Sequence, residues 1–256
     1  MPPAERTLIP FPRAAASRKR PRDPAMAGVM RFVSLADERV SQPSFRRVFE
    51  VPSERTAQPG ESEALDVLAD VLGGGSNSRL YRRLVAEKGL AANAGAYYQS
   101  GSLDDSKLMI YATPRDGVSL DDLGKAIDEV VADLAAKGPT TEEVDRAVKK
   151  VVAASIRAQD NQASLARIFG QALATGGSID EVRSWPARLR KVAVGDVEAA
   201  AERWLVSERA VTAHLKSAPS TGKPLAKAPW PPAGPGATGH IRMIEEAPMT
   251  GLPSIT

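Results

Sequence analysis

The sequence predicts an α+β domain, a mixed and largely antiparallel sheet covered by a layer of helices. Three observations lead there. Helix pairs follow strand pairs instead of alternating with them one by one. Residues 92–99 and 107–113 both read as strands, and the short SGSLDDS link between them leaves room only for an antiparallel pair. Leu120, Leu123, Ile127, Val130, Val131 and Leu134 form an apolar stripe at helical spacing, the kind that covers a sheet face.

The first folded element is residues 45–51 (FRRVFEV), a half-buried strand by its alternation. Residues 53–62, with Pro59-Gly60, form a loop into the central helix. There Leu65, Leu68, Ala69 and Leu72 fall at i, i+3, i+4 and i+7. Gly73, Gly74 and Gly75 stop this helix, and at least one of them is expected at positive φ. Ser76, Asn77 or Ser78 then caps a second helix by accepting from its free amides. That helix turns Leu80 and Leu84 inward, carries Arg79, Arg82 and Arg83, and closes at Gly89. In the strand that follows, Ala92, Ala94, Ala96 and Tyr98 face the helices, while Asn93, Gly95 and Tyr97 face away.

The second half is helical. Ser119 starts the striped helix, with Asp121 and Asp122 at its positive end. Burying each of its six apolar side chains is worth roughly 1.5–3 kcal/mol before conformational entropy is subtracted. Lys137-Gly138-Pro139 ends it. Thr140 with Glu143, and Ser178 with Glu181, read as capping boxes for later helices. Asp160-Asn161 breaks the long helix from Thr141, and Leu165, Ile168, Phe169, Ala172 and Leu173 resume the pattern. Pro186 should interrupt or kink the segment it lies in. Residues 197–205 form a final helix and 209–216 (RAVTAHLK) a last strand. Four strands are convincing; one or two more could come from the poorly patterned stretch before Phe45.

The resulting plan is a basic, disordered Pro/Arg-rich arm over residues 1–40, a folded domain over 41–217 and a disordered Pro/Gly-rich tail over 218–256. With 43% hydrophobic residues in 256, one real core is affordable. The net charge of +3 says little about partners. Arg18-Lys-Arg-Pro-Arg22 is the densest basic cluster, but acids and bases nearly balance in the folded part, so no nucleic-acid partner is expected. With no cysteine there is no disulfide, thiolate site or cysteine nucleophile. No apolar run reaches the ~20 residues of a membrane span. No secretory h-region is present; the chain reads as cytoplasmic by default, or periplasmic if its true N-terminus is missing. A start at Met26 or Met30 is an alternative.

Gly73–Gly75 is not a P-loop. It follows a helix, not a strand, and has no Gly-Lys-[Ser/Thr] ending. Read together, Leu72-Gly-Gly-Gly, then Ser78-Arg79-Leu80-Tyr81, Leu84 and Gly89-Leu90-Ala91 resemble the pitrilysin/insulinase family of zinc metallopeptidases, in its second, metal-free half. The resemblance runs from about Asp37 to Leu215. It implies a six-stranded sheet against helices and a non-catalytic half of a peptidase whose peptide-enclosing chamber closes with an H-x-x-E-H-bearing homologous subunit, or a homo-oligomer. A structural or interaction protein on the same fold is the other reading it permits. Metal-free halves of the family contribute an arginine and a tyrosine to substrate. Alignment on Leu84 and Gly89-Leu90-Ala91 places those positions at Val85 and Ala92, neither of which can hydrogen-bond a peptide through its side chain.

The chemistry is otherwise negative. An inverted zinc motif needs two histidines four apart with a glutamate between them, and this chain has only His214 and His240, 26 positions apart. His214 alternates with Thr212 and Lys216, which reads as the solvent face of the last strand. There is no G-x-S-x-G, and Asp104-Asp105 is too small a ligand set for a cation. No catalytic residue, metal ligand or cofactor is therefore expected in this chain, and zinc only in a partner.

Overall fold

The computed structural model describes residues 31–219. Five strands form one sheet in the order β1-β5-β2-β4-β3. They are β1 (Arg31–Asp37), β2 (Ser44–Val51), β3 (Ala91–Tyr98), β4 (Ser106–Pro114) and β5 (Val211–Ser217). Every pairing is antiparallel except β1 with β5. The helices are α1 (Glu61–Gly73), a π-helix (Tyr81–Glu87), α2 (Leu120–Lys137), α3 (Thr141–Ala158), α4 (Gln162–Ala174), α5 (Ile179–Leu189) and α6 (Val194–Trp204). The α+β reading holds.

Register decides which residues meet the helices. Phe45 lies between Ala112 and His214, and Arg47 between Ile110 and Thr212. Ala94 and Ala96 extend these rows onto β3. All are buried, beneath the apolar stripes of α1 and α2. Both capping boxes form as read, and Asn161 Oδ1 caps α4 by accepting from Ser164 N.

Four elements depart from the sequence reading. β1 takes residues 31–37, inside the arm as bounded above, and is one of the further strands that the stretch before Phe45 could supply; its ladder to β5 supplies the partner that its weak pattern could not announce. Residues 1–30 and 220–256, hence most of the arm, His240 and nearly all of the tail, lie outside the described residues. Residues 81–87 wind as a π-helix, in which Lys88 N donates to Arg83 O at 3.0 Å, five residues back. α5 runs on through Pro186, which costs a single amide donor in a short helix. The apolar residues of α4 are not core: none is buried, and Leu165, Ile168 and Phe169 line an open hollow of about 720 Å³ against α3 and α5.

Candidate functional site

The glycine motif is structural, and each of its residues has a distinct task. Gly73 keeps ordinary helical geometry but lies against the backbone of β3, where a Cβ would come 1.8 Å from Ala96 N. Gly74 N donates to Asp70 O to finish α1. Gly75 carries the positive φ, +129°. Ser78 does not cap by accepting from amides; its hydroxyl donates to Gly75 O at 2.6 Å, which closes the connection on itself. Arg79 reaches the α2–α3 junction, giving Nε to Glu143 Oε1 at 2.9 Å and Nη2 to Gly138 O at 2.9 Å and Glu143 Oε2 at 2.8 Å. The same Glu143 oxygen receives Thr140 N, so Arg79 and the capping box brace each other. The carboxylate beside it raises the Arg79 pKa further. Leu80 is fully buried and Tyr81 packs partly against the core.

Val85 and Ala92 flank the turn from the π-helix into β3. Val85 is buried. Ala92 is the extra residue of a bulge between Ala91 and Asn93, which turns it outward and corrects the expectation that it faces the helices. Arg115 ties this corner, its Nε donating to Ala91 O at 3.3 Å.

The face of the sheet away from the helices is the open one. Ala213, Arg46, Tyr111 and Gly95 form one row across it, and Val211, Val48, Met109 and Tyr97 the next. Tyr97 and Tyr111 lie 6.4 Å apart, tilted by 46°. Gly95 is small because Tyr111 lies over it: a Cβ there would come 2.4 Å from the tyrosine hydroxyl. Together with Arg46, Met109 and Thr113 the two rings line a hollow of about 220 Å³. Tyr97 is 43% exposed, its hydroxyl donating to Met109 Sδ at 3.3 Å. Among the described residues this is an open polar–aromatic surface with a shallow hollow and no enclosed pocket.

His214 is not a surface histidine. It is 4% exposed, with Phe32 edge-on at 4.7 Å and Phe45 at 5.3 Å. The Thr212/His214 side of β5 faces the helix layer, because its register with β2 sets Thr212 beside Arg47 and His214 beside Phe45, in the rows that lie beneath the helices. Burial lowers the His214 pKa, only partly opposed by Asp121, whose oxygen lies 3.7 Å from Nδ1. Arg47 shares this stripe, donating Nε to Thr212 Oγ1 at 3.1 Å and pairing with Asp128. A lone buried histidine with one distant carboxylate does not fit zinc, and among the described residues no cluster of three His, Asp or Glu could hold a metal. Nor, among them, is any helix long and apolar enough to cross a membrane.

A further polar group escaped the sequence reading. Arg188 of α5 pairs with Glu63 and, at 2.8 Å, with Glu54, while Asp66 lies beside them with Oδ2 buried and unpartnered. Burial pushes the Asp66 carboxyl up to about 8; the Trp185 hydrogen bond opposes this, and the charges of Glu63 and Glu54 add to it. The group locks α5 onto α1.

Comparison with known proteins agrees with this geometry. Residues 4–151 match the family described as "Peptidase M16 inactive domain". An uncharacterized zinc protease of Streptomyces coelicolor is 29% identical over 138 residues, 54% of this chain. The chain spans 30% of that relative's length. A protease from Helicobacter pylori superposes with a TM-score of 0.68 at 21% identity, covering 75% of this chain and 45% of that one. An inactive peptidase domain from Bordetella parapertussis gives 0.61 at 22% identity, with 76% of this chain and 99% of that one covered. At these identities the structural likeness speaks for the fold alone; the family match spans more than half of the chain. The chain belongs to the M16, pitrilysin/insulinase-type family of zinc peptidases, as one of its inactive, metal-free domains.

Proposed function

We propose that this domain is the non-catalytic half of an M16 zinc peptidase and forms one wall of a peptide-enclosing chamber, opposite a homologous half that carries H-x-x-E-H and the zinc. The observation that supports this most directly is the open face of the sheet, where Tyr97, Tyr111 and Arg46 offer stacking, hydrogen bonding and charge to an extended backbone without a closed pocket. The chain's own residues hold and orient peptide there; no bond-breaking step belongs to them. Val85 and Ala92 support a wall that acts through shape and the sheet face and not through an arginine–tyrosine pair. That same substitution favours the second reading, a structural or interaction protein on this fold.

The test is to express this chain and an H-x-x-E-H homologue from the same cell separately and together, with a mixed peptide pool as substrate. The chain alone should show no chelator-sensitive cleavage, and the mixture should cleave. Tyr97→Ala should lower kcat/KM of the mixture about tenfold, mainly through KM, with the melting temperature unchanged. If the homologue cleaves equally well alone and no complex elutes at micromolar concentration, the structural-protein reading replaces the peptidase one.

A further inference from the structure

β1 is an edge strand without the usual defences. It has seven residues, no proline and no bulge, and among the described residues neither face is fully covered: Phe32 is 56% exposed on the helix side, Val33 56% and Leu35 58% on the other. The opposite edge differs, since β3 carries a bulge at its start and Gly95 in its middle. Arg31 N donates to Ala210 O and Asp37 O accepts from Ala218 N, so the odd-numbered residues of β1 aim their backbone groups at β5. The N–H and C=O groups of Phe32, Ser34 and Ala36 therefore point off the sheet.

We infer that β1 pairs with β1 of a second copy of this chain, antiparallel about a two-fold axis at Ser34, joining two sheets into one. In this register Ser34 faces its own symmetry mate and Phe32 faces Ala36, and all three outward pairs exchange both hydrogen bonds. Between them, Val33 meets Leu35 and Arg31 meets Asp37, at the close spacing of non-hydrogen-bonded pairs. A register shifted by one residue would set outward groups against inward ones. Shifts by two keep the hydrogen bonds but separate Arg31 from Asp37 and leave strand ends unpaired. RFVSLAD is thus complementary to itself in charge, in apolar side chains and in backbone direction at one register. The Asp37 carboxylate already accepts from Arg39 Nε and Nη2 at 2.9 and 2.7 Å, and its remaining lone pairs can take a second guanidinium. An isologous contact of this kind closes at two copies. The inference does not depend on the peptidase reading, because it uses the edge and not the open face.

The chain contains no cysteine, so Ser34→Cys adds a single reactive group placed on the proposed axis. Hydrogen-bonded antiparallel pairs set Cα atoms ~5.5 Å apart, within disulfide reach. Under mild oxidation of the full chain, Ser34→Cys should form covalent dimer at least about tenfold faster than Leu103→Cys, a control at a comparably exposed loop residue. Sedimentation of the wild type should show a monomer–dimer equilibrium in the micromolar range. Ser34→Pro removes an N–H that bonds nothing among the described residues and should raise the dimer dissociation constant about tenfold or more. Should the proline disturb folding, Arg31→Asp must weaken association and Arg31→Asp with Asp37→Arg must restore it. The inference is overturned if the wild type is monomeric throughout, if Ser34→Cys cross-links no faster than the control, or if association survives both Ser34→Pro and Arg31→Asp unchanged. A terminal segment of the same chain covering the edge would give the first two of these results.

Discussion

Gly73→Ala should destabilise the domain by about 3 kcal/mol or more, while Gly75→Ala, two residues on, should cost only about 1 kcal/mol. The order is the reverse of what conformational preference alone would give. Gly75 is the residue with positive φ, where alanine is strained, but its new Cβ would meet nothing closer than Lys150 Nζ at 3.5 Å. Gly73 needs no special φ. Its Cβ would stand 1.8 Å from Ala96 N, 2.4 Å from Gly95 C and 2.6 Å from Ala96 Cβ. Those are atoms of a strand laddered to β4, so no side chain can swing aside. The end of α1 would have to lift off the sheet, and Leu68 and Leu72, both fully buried, would lose contact with it. Urea unfolding of the two variants measures the difference. A loss at Gly73 no larger than at Gly75 would show that α1 yields easily and that the close approach is not a constraint.

Asp66→Asn should remove a pH dependence of stability. The Asp66 carboxyl is held at about 8 in the folded chain by burial, against 3.8 as its ordinary value. Between these two values the folded state binds a proton that the unfolded state has lost. Its contribution to stability is complete below about pH 4 and falls as pH rises to about 8, by up to ~1.4 kcal/mol per unit. Asparagine has the same shape and cannot ionise. From pH 5 to pH 8 the variant should therefore gain on the wild type by on the order of 3 kcal/mol. The groups facing Asp66 are Glu63 of α1, Glu54 of the loop after β2, Tyr98 of β3, and Arg188 and Trp185 of α5. Those groups and the buried His214 are common to both proteins, so the difference isolates Asp66. Denaturant titrations at pH 5, 6.5 and 8 give the gap directly, and a constant gap would mean that the carboxyl is hydrated in the folded state.

Much of the architecture was legible in the sequence because it rests on local rules. Stripes at helical spacing placed α1 and α2, reciprocal Ser/Thr–Glu signals placed the starts of α3 and α5, and a seven-residue link made β3 and β4 antiparallel. The motif from Leu72 to Ala91 carried the family, and the family match agrees with it. The histidine inventory alone spoke against zinc in this chain, since composition needs no fold to be counted. Tertiary structure decided what depends on a second covering element. β1 became a strand because β5 pairs with it, not because of its own pattern. Thr212 and His214 look like a solvent face in one dimension and, like Arg47, are buried because the sheet places them beneath the helices. Asp66 sits on an ordinary helix turn until α5 packs across it. Gly73 reads as a helix stop, yet its requirement comes from a strand more than twenty residues away. Periodicity reports one face of one element; burial depends on how many neighbours close over it, and only the assembled chain supplies them.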